Sequence, residues 1–302
     1  VDLARTSLVD GEPVRHLLLK NPFSLDLGVR GIALGTVVAE AIGMCIVLAM
    51  LIRGTGGVRL RARRLKPHWH TLRRLLRVGL PSFAETFGMW IGNYAVIILI
   101  GMLGSEAILG SHIIAIRLES LSFGPGFAMG MVASILAGQY LGAKSPAMAR
   151  KAILFAAAVA ALQMGLMGIL FITLGRAIAG LISSQPEHLH LVPPLLFWTG
   201  LVQVPFAIGI ALRVGLRGAG DAKWVMWLTW ITTYAVRLPL VYFASRVDIH
   251  LPAFLGGGTI HNPSPVGGTL EWVWIALCAE IVVRAVLFIA RFVHGGWQTK
   301  RV

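Results

Sequence analysis

Seven stretches of this chain are each long and apolar enough to cross a lipid bilayer. A hydrocarbon core of about 30 Å needs about 20 apolar residues at the 1.5 Å rise of an α-helix. The runs cover residues 31–52, 78–103, 107–137, 148–182, 193–212, 224–244 and 272–292. Hydrocarbon offers the backbone no water to bond with, so each run must be a helix that satisfies its own N–H and C=O groups. The expected fold is therefore all-α, a polytopic membrane helix bundle with seven spans. Composition agrees, since 56% of the residues are apolar and 13% charged, about half the charged fraction of a soluble domain. A soluble globule and a disordered chain are both excluded. Two cysteines, Cys45 and Cys278, each inside an apolar run, exclude a disulfide framework and supply no zinc site.

The net charge of +14 would suit nucleic acid only if it lay on a solvated face. Instead it lies between the spans, where it sets orientation, because Lys- and Arg-rich connections stay in the cytoplasm. Residues 53–77 hold nine basic side chains, and 138–151, 213–223 and 291–302 hold three each. The alternate connections 104–106, 183–192 and 247–271 hold none. The expected layout is an external segment 1–30, a first helix 31–52, a basic cytoplasmic linker 53–77, six helices over 78–293 and a cytoplasmic tail 294–302. Leu72, Leu75 and Leu76 among Arg73, Arg74 and Arg77 suggest an amphipathic surface helix on anionic lipid. Val1 opens the chain in place of Met, and no signal-peptide pattern follows, so a truncated or processed N-terminus is expected.

Shifting the chain against itself by 240 positions lays Ala39-Glu40 on Ala279-Glu280 and Thr55-Gly56 on Gly295-Gly296. Each copy carries one Glu about two turns in and ends at a basic edge, as two sixfold repeats about an axis along the membrane normal would. The first span would then close a preceding half, and 53–77 would join the halves.

Several motifs carry a more specific signal. Arg77-Val-Gly-Leu-Pro81, Leu103-Gly104, His112, Ala115 to Gly126 with Arg117 and Glu119, Gly138-Gln139-Tyr-Leu-Gly142, Arg217-Gly-Ala-Gly-Asp221 and Arg237-Leu-Pro239 with Tyr242 resemble the multidrug and toxic compound extrusion (MATE) family. The resemblance runs over residues 28–297 in family order. It implies spans six to twelve of a twelve-span carrier, the C-terminal lobe plus the last helix of the N-terminal lobe. It further implies exchange of inward-moving H+ or Na+ for outward-moving cationic or amphipathic compounds, by two lobes rocking about a central cavity. By the same resemblance, the N-terminal lobe's first five spans are expected to lie outside the residues from Val1 onward. Some sodium-coupled members carry a glutamate near the position of Met89, whereas the nearest carboxylate here is Glu85.

Ionisable residues within spans are costly, about 3 kcal/mol each on insertion scales, so each calls for a partner or a wet cavity. Glu119 lies 12 residues into its run, about 18 Å deep at helical rise. His112, seven residues earlier, shares its helical face. A carboxylate and an imidazole together can hold or relay a proton. Alternatively they lock adjacent helices among the small residues around Gly124 and Gly130. Arg117 points away from Glu119 and is expected to pair with Glu85. Glu280 and Arg284, four apart on one helix, read as a structural ion pair, while Glu40, with Met44 in the equivalent place, has no such partner. Asp221 before Trp224 suits a helix N-cap, although the resemblance makes it functionally sensitive. Trp224, Trp227, Trp230 and Tyr234 form either an interfacial belt or a face for cations.

The expected protein is thus a secondary active transporter of the cytoplasmic membrane, not an enzyme, needing no cofactor besides H+ or Na+ as coupling ion. Glu85, Glu119, Arg117, His112, Asp221 and Glu40 are its candidate transport residues. Its partners would be membrane lipid, small cationic or amphipathic substrates, and an N-terminal lobe or second copy, with no role for nucleic acid. A flippase for lipids or polysaccharide precursors is the alternative and would want a cavity richer in Arg and Lys for phosphate. A non-transporting membrane subunit is another. An enzyme is disfavoured because His188 with His190 has only the single carboxylate Glu187 and no Cys beside it, and His68 with His70 has neither, so no zinc ligand set is assembled.

Overall fold

The structure, a computed structural model, describes residues 3–9, 12–19, 28–54, 68–250 and 258–299. It divides into two units, Val1–Arg74 and Leu75–Val302. In the first, β1 (Leu3–Val9) and β2 (Glu12–Leu19) form an antiparallel hairpin with Val9 opposite Glu12. The sequence expectation did not include it, although the intervening Asp10-Gly11 is a pair that two-residue hairpin connections favour. Helix α1 (Gly28–Arg53) follows, with a mean hydropathy of 2.2 over its apolar stretch.

The second unit is a bundle. It contains α2 (Trp69–Gly101, its first residues in the first unit), α3 (Glu106–Gly142), α4 (Pro146–Ile182), α5 (Pro186–Leu201) and α6 (Gln203–Gly218). These are followed by α7 (Ala222–Trp230), a π-helical segment (Ile231–Arg237), α8 (Leu238–Ser245) and α9 (Leu270–His294). Among the described residues, five of the helices, α1 among them, are long and apolar enough to span a membrane, and α5 with α6 makes a sixth span if the pair is taken as one. The protein is an integral membrane helix bundle. Every apolar run of the sequence is helical, and two are not simple rods.

The fifth run is bent by 59° between α5 and α6. Pro205 explains it: the ring offers no N–H to the Leu201 carbonyl and crowds it, so the helix restarts at Gln203. The helix also begins earlier than the expected span, so that His188 and His190 lie in α5 rather than in a loop. The sixth run widens into π geometry just before Leu238-Pro239. Pro239 cannot donate to the Ala235 carbonyl, and the wider turn accommodates that loss. Leu72 to Arg77, expected as an amphipathic surface helix, are helical and belong to the first turns of the long α2. Most of the basic linker, 55–67, lies outside the described residues.

Small residues bring the central helices together. Gly126 of α3 faces Met164 of α4, Gly130 faces Val214 of α6, and Gly218 lies so close to Ser134 that a Cβ there would overlap the Ser134 backbone. Close approach of this kind drives packing between membrane helices, where lipid removes the hydrophobic advantage of burial. Ser105 caps α3 by accepting from the Ile108 N–H at 3.3 Å, and Thr269 caps α9 by accepting from Trp272 N–H at 3.4 Å. Between α8 and α9, short strands β3 (Ile249–His250) and β4 (Thr259–Ile260) pair antiparallel.

Candidate functional site

Glu280 of α9 is fully buried and serves two arginines. Its Oε1 accepts from Arg284 Nε at 2.7 Å, and its Oε2 accepts from Arg237 Nη2 at 2.8 Å and Nε at 3.1 Å. The i,i+4 pair read from spacing is present, and it is half of a clamp. Arg237 also donates to Asn93 Oδ1 of α2 at 2.6 Å. Arg284 donates to Thr232 Oγ1 at 3.1 Å and Thr233 Oγ1 at 3.2 Å. The π segment supplies both threonines and ends at Arg237, so one short stretch holds two partners of Arg284 and one partner of Glu280.

A second clamp corrects the expectation for Glu85. This carboxylate, 1% exposed, pairs with Arg217 at 2.5 Å and Arg213 at 3.8 Å, and accepts from Thr229 Oγ1 at 3.2 Å. Arg117 is not its partner and lies on an exposed part of α3. The cause is the extent of α6: Arg213 and Arg217 stand one turn apart inside the helix rather than in the expected cytoplasmic connection at 213–223. Their spacing of four was visible in the sequence and was the signal that could have found them. Asp221 occupies the N-cap position of α7, but its Oδ2 accepts from Arg291 Nε and Nη2, both at 2.7 Å, and the side chain makes no cap hydrogen bond. Arg291 also stacks over Trp224, 4.9 Å from the ring centroid. Glu40 lies midway along α1 in the first unit.

The aromatic series is neither wholly a belt nor a cation face. Trp230 Nε1 donates to the Ala84 carbonyl at 3.1 Å and Tyr234 Oη to the Gly88 carbonyl at 2.7 Å, which binds the sixth run to α2. Trp227 remains exposed.

His112 and Glu119 line one cavity of about 240 Å³, with Asn93, Arg237 and Arg284 around it and Ile116, Phe206 and Trp274 among its apolar walls. His112 Nδ1 accepts from Trp274 Nε1 at 3.1 Å. That bond leaves Nε2 as the proton-bearing nitrogen of the neutral ring. An adjoining cavity of about 150 Å³ shares Asn93, Phe206, Arg237 and Arg284 and adds Met89, Phe123 and Arg213. Met89 Sδ accepts from Arg213 Nη1 at 3.4 Å and Arg284 Nη1 at 3.8 Å. Among the described residues, no group of three His, Cys, Asp or Glu is placed to hold a metal ion.

The profile of the MatE family matches residues 81–243, more than half of the chain. Among curated relatives, the chain is 28% identical over 279 residues to Probable multidrug resistance protein NorM of Thermotoga maritima, covering 92% of this chain and 55% of that protein. It is 29% identical over 189 residues to multidrug resistance protein MdtK of Proteus mirabilis, covering 62% and 41%. The chain therefore spans about half the length of the curated relatives it matches. In fold it is similar to a multidrug resistance MATE family transporter of the MOP superfamily in an outward-facing conformation, with a TM-score of 0.77, 19% identity, and 92% of this chain and 59% of that one covered. It is also similar to a MATE structure in the straight conformation, with a TM-score of 0.75, 19% identity, and coverage of 90% and 58%.

Proposed function

Because the chain belongs to the MatE family, we propose that it is the C-terminal lobe of a secondary transporter that expels cationic or amphipathic toxic compounds in exchange for inward-moving H+ or Na+. It would act in the cytoplasmic membrane, with the basic linker on the cytoplasmic side, and with an N-terminal lobe or a second copy forming the other wall of the pathway. The observation that carries the reading is Glu119 in a cavity inside the bundle, beside His112 and against Phe206 and Trp274. Apolar walls take the body of an amphipathic compound, and the carboxylate takes its positive group or a coupling cation. A coupling ion moves a carrier between inward-open and outward-open packings only by its differential affinity for the two, so exchange at Glu119 changes which packing is favoured. Meanwhile the clamps at Glu85 and Glu280 tie α2, α6, the sixth run and α9 into one body that can rock as a unit.

The test is export of a fluorescent organic cation from cells expressing the full-length gene. Glu119→Gln should lower ion-driven export by about tenfold or more, within the range of coupling between two sites. Unchanged export would remove Glu119 from the coupling role. One observation favours a second reading: Arg213, Arg237 and Arg284 line the smaller cavity, as a flippase for lipid or polysaccharide precursors would require.

A further inference from the structure

Four arginines, Arg213, Arg217, Arg237 and Arg284, stand around two carboxylates, Glu85 and Glu280. Positive charge exceeds negative even when Glu119 is counted as ionised. The excess is concentrated at Met89. One guanidinium nitrogen of Arg213 and one of Arg284 converge on its sulfur, a neutral atom and a weak acceptor. Arg213 is only 8% exposed, its separation from Glu85 is 3.8 Å, and its buried Nε finds no acceptor among the described residues. The smaller cavity opens beside this pair. Its charged lining consists of Arg213, Arg237 and Arg284, and Phe123, Phe206 and Ile281 are among its apolar walls.

We propose that Arg213 and Arg284 form a subsite for an oxyanion, a carboxylate or phosphate carried by an amphipathic compound, seated over Met89 in the smaller cavity. Two guanidinium forks whose strongest shared acceptor is a thioether suit a planar or tetrahedral oxyanion that accepts from both. Uncompensated charge inside a membrane is costly, and an anion removes that cost where sulfur does not. The adjoining cavity places Glu119 next to the subsite, so a zwitterionic compound fits with its negative end at Arg213 and Arg284 and its positive end toward Glu119. Its use in export rests on the transport reading above; its existence as a binding site does not.

Isothermal titration of the full-length protein with phenyl phosphate, and with benzyltrimethylammonium as the charge-reversed probe, tests the subsite. Phenyl phosphate should bind, and Met89→Glu, whose own carboxylate reaches both guanidiniums, should weaken that binding about tenfold or more. Met89→Gln has the same length without the charge and should weaken it much less. Arg213→Gln, which leaves Glu85 to Arg217, should repeat the tenfold loss. No binding of phenyl phosphate, or equal effects of Met89→Glu and Met89→Gln, overturns the proposal. Nanodiscs with and without phosphatidylglycerol separate the sources: competition by the anionic lipid assigns the subsite to a lipid headgroup, and undiminished binding assigns it to a soluble amphiphile. Unchanged export in Glu119→Gln would remove the coupling reading and leave this site standing, whereas failed phosphate binding with export intact would remove only the site.

Discussion

Replacing Glu280 by Gln tests whether the buried clamp holds the second unit together. The carboxylate accepts three charged hydrogen bonds, two from Arg237 and one from Arg284, at 2.7–3.1 Å. Gln keeps one acceptor oxygen and turns an NH2 donor toward a guanidinium, leaving two cations face to face around a fully buried side chain. Breaking a buried pair by removing one partner costs about 3–5 kcal/mol. At about 2–4 °C per kcal/mol for a domain of this size, thermal unfolding in detergent, followed by tryptophan fluorescence, should shift down by about 6–20 °C. Arg284→Gln in the same molecule removes one of the stranded cations, so the double variant should lose clearly less than the sum of the two single losses. A midpoint within about 2 °C of the parent for Glu280→Gln, or strict additivity in the double variant, would refute the account of Glu280 as a shared counter-ion.

Two further outcomes follow from packing and pairing. Gly218→Ala should lower the unfolding midpoint by the equivalent of about 1–3 kcal/mol, the usual cost of overpacking, because its Cβ meets the Ser134 backbone; an unchanged or raised midpoint would contradict that contact. Asp221→Asn should cost about 1.5–3 kcal/mol, the range for a hydrogen bond to a charged group, by weakening the hold on Arg291. Adding Arg291→Gln should then cost little more, and full additivity on the same thermal assay would show that the two side chains are not coupled.

Much of the site was visible along the chain, and its pairing was not. Glu119 and His112 line one cavity, as their seven-residue spacing on a helix suggests, and Glu280 with Arg284 meet across one turn as i,i+4 charges do. Both are within-helix relations that periodicity alone determines. The expected partner of Arg117, a carboxylate on another helix, is Glu85, yet Arg217, 132 residues from Glu85, takes it. The apolar run ends at residue 212 and so leaves Arg213 and Arg217 in the expected connection, whereas the helix that restarts after the bend at Val202 runs on to Gly218. A proline in the run was legible; the extent of the helix that restarts after it was not.

The sequence by itself determined that this protein lives in a bilayer and folds as helices, since apolar runs of that length have no other way to satisfy their backbone. Its motifs also placed it beside one family of carriers. Only the tertiary structure decided which charges meet, because a contact between helices depends on the rotation and axial register of each. Those in turn depend on the break before Gln203, the wide turn ahead of Pro239 and the glycine contacts of α3 and α6. Arg237 reaches Glu280 across 43 residues of chain, a distance over which no helical period carries information.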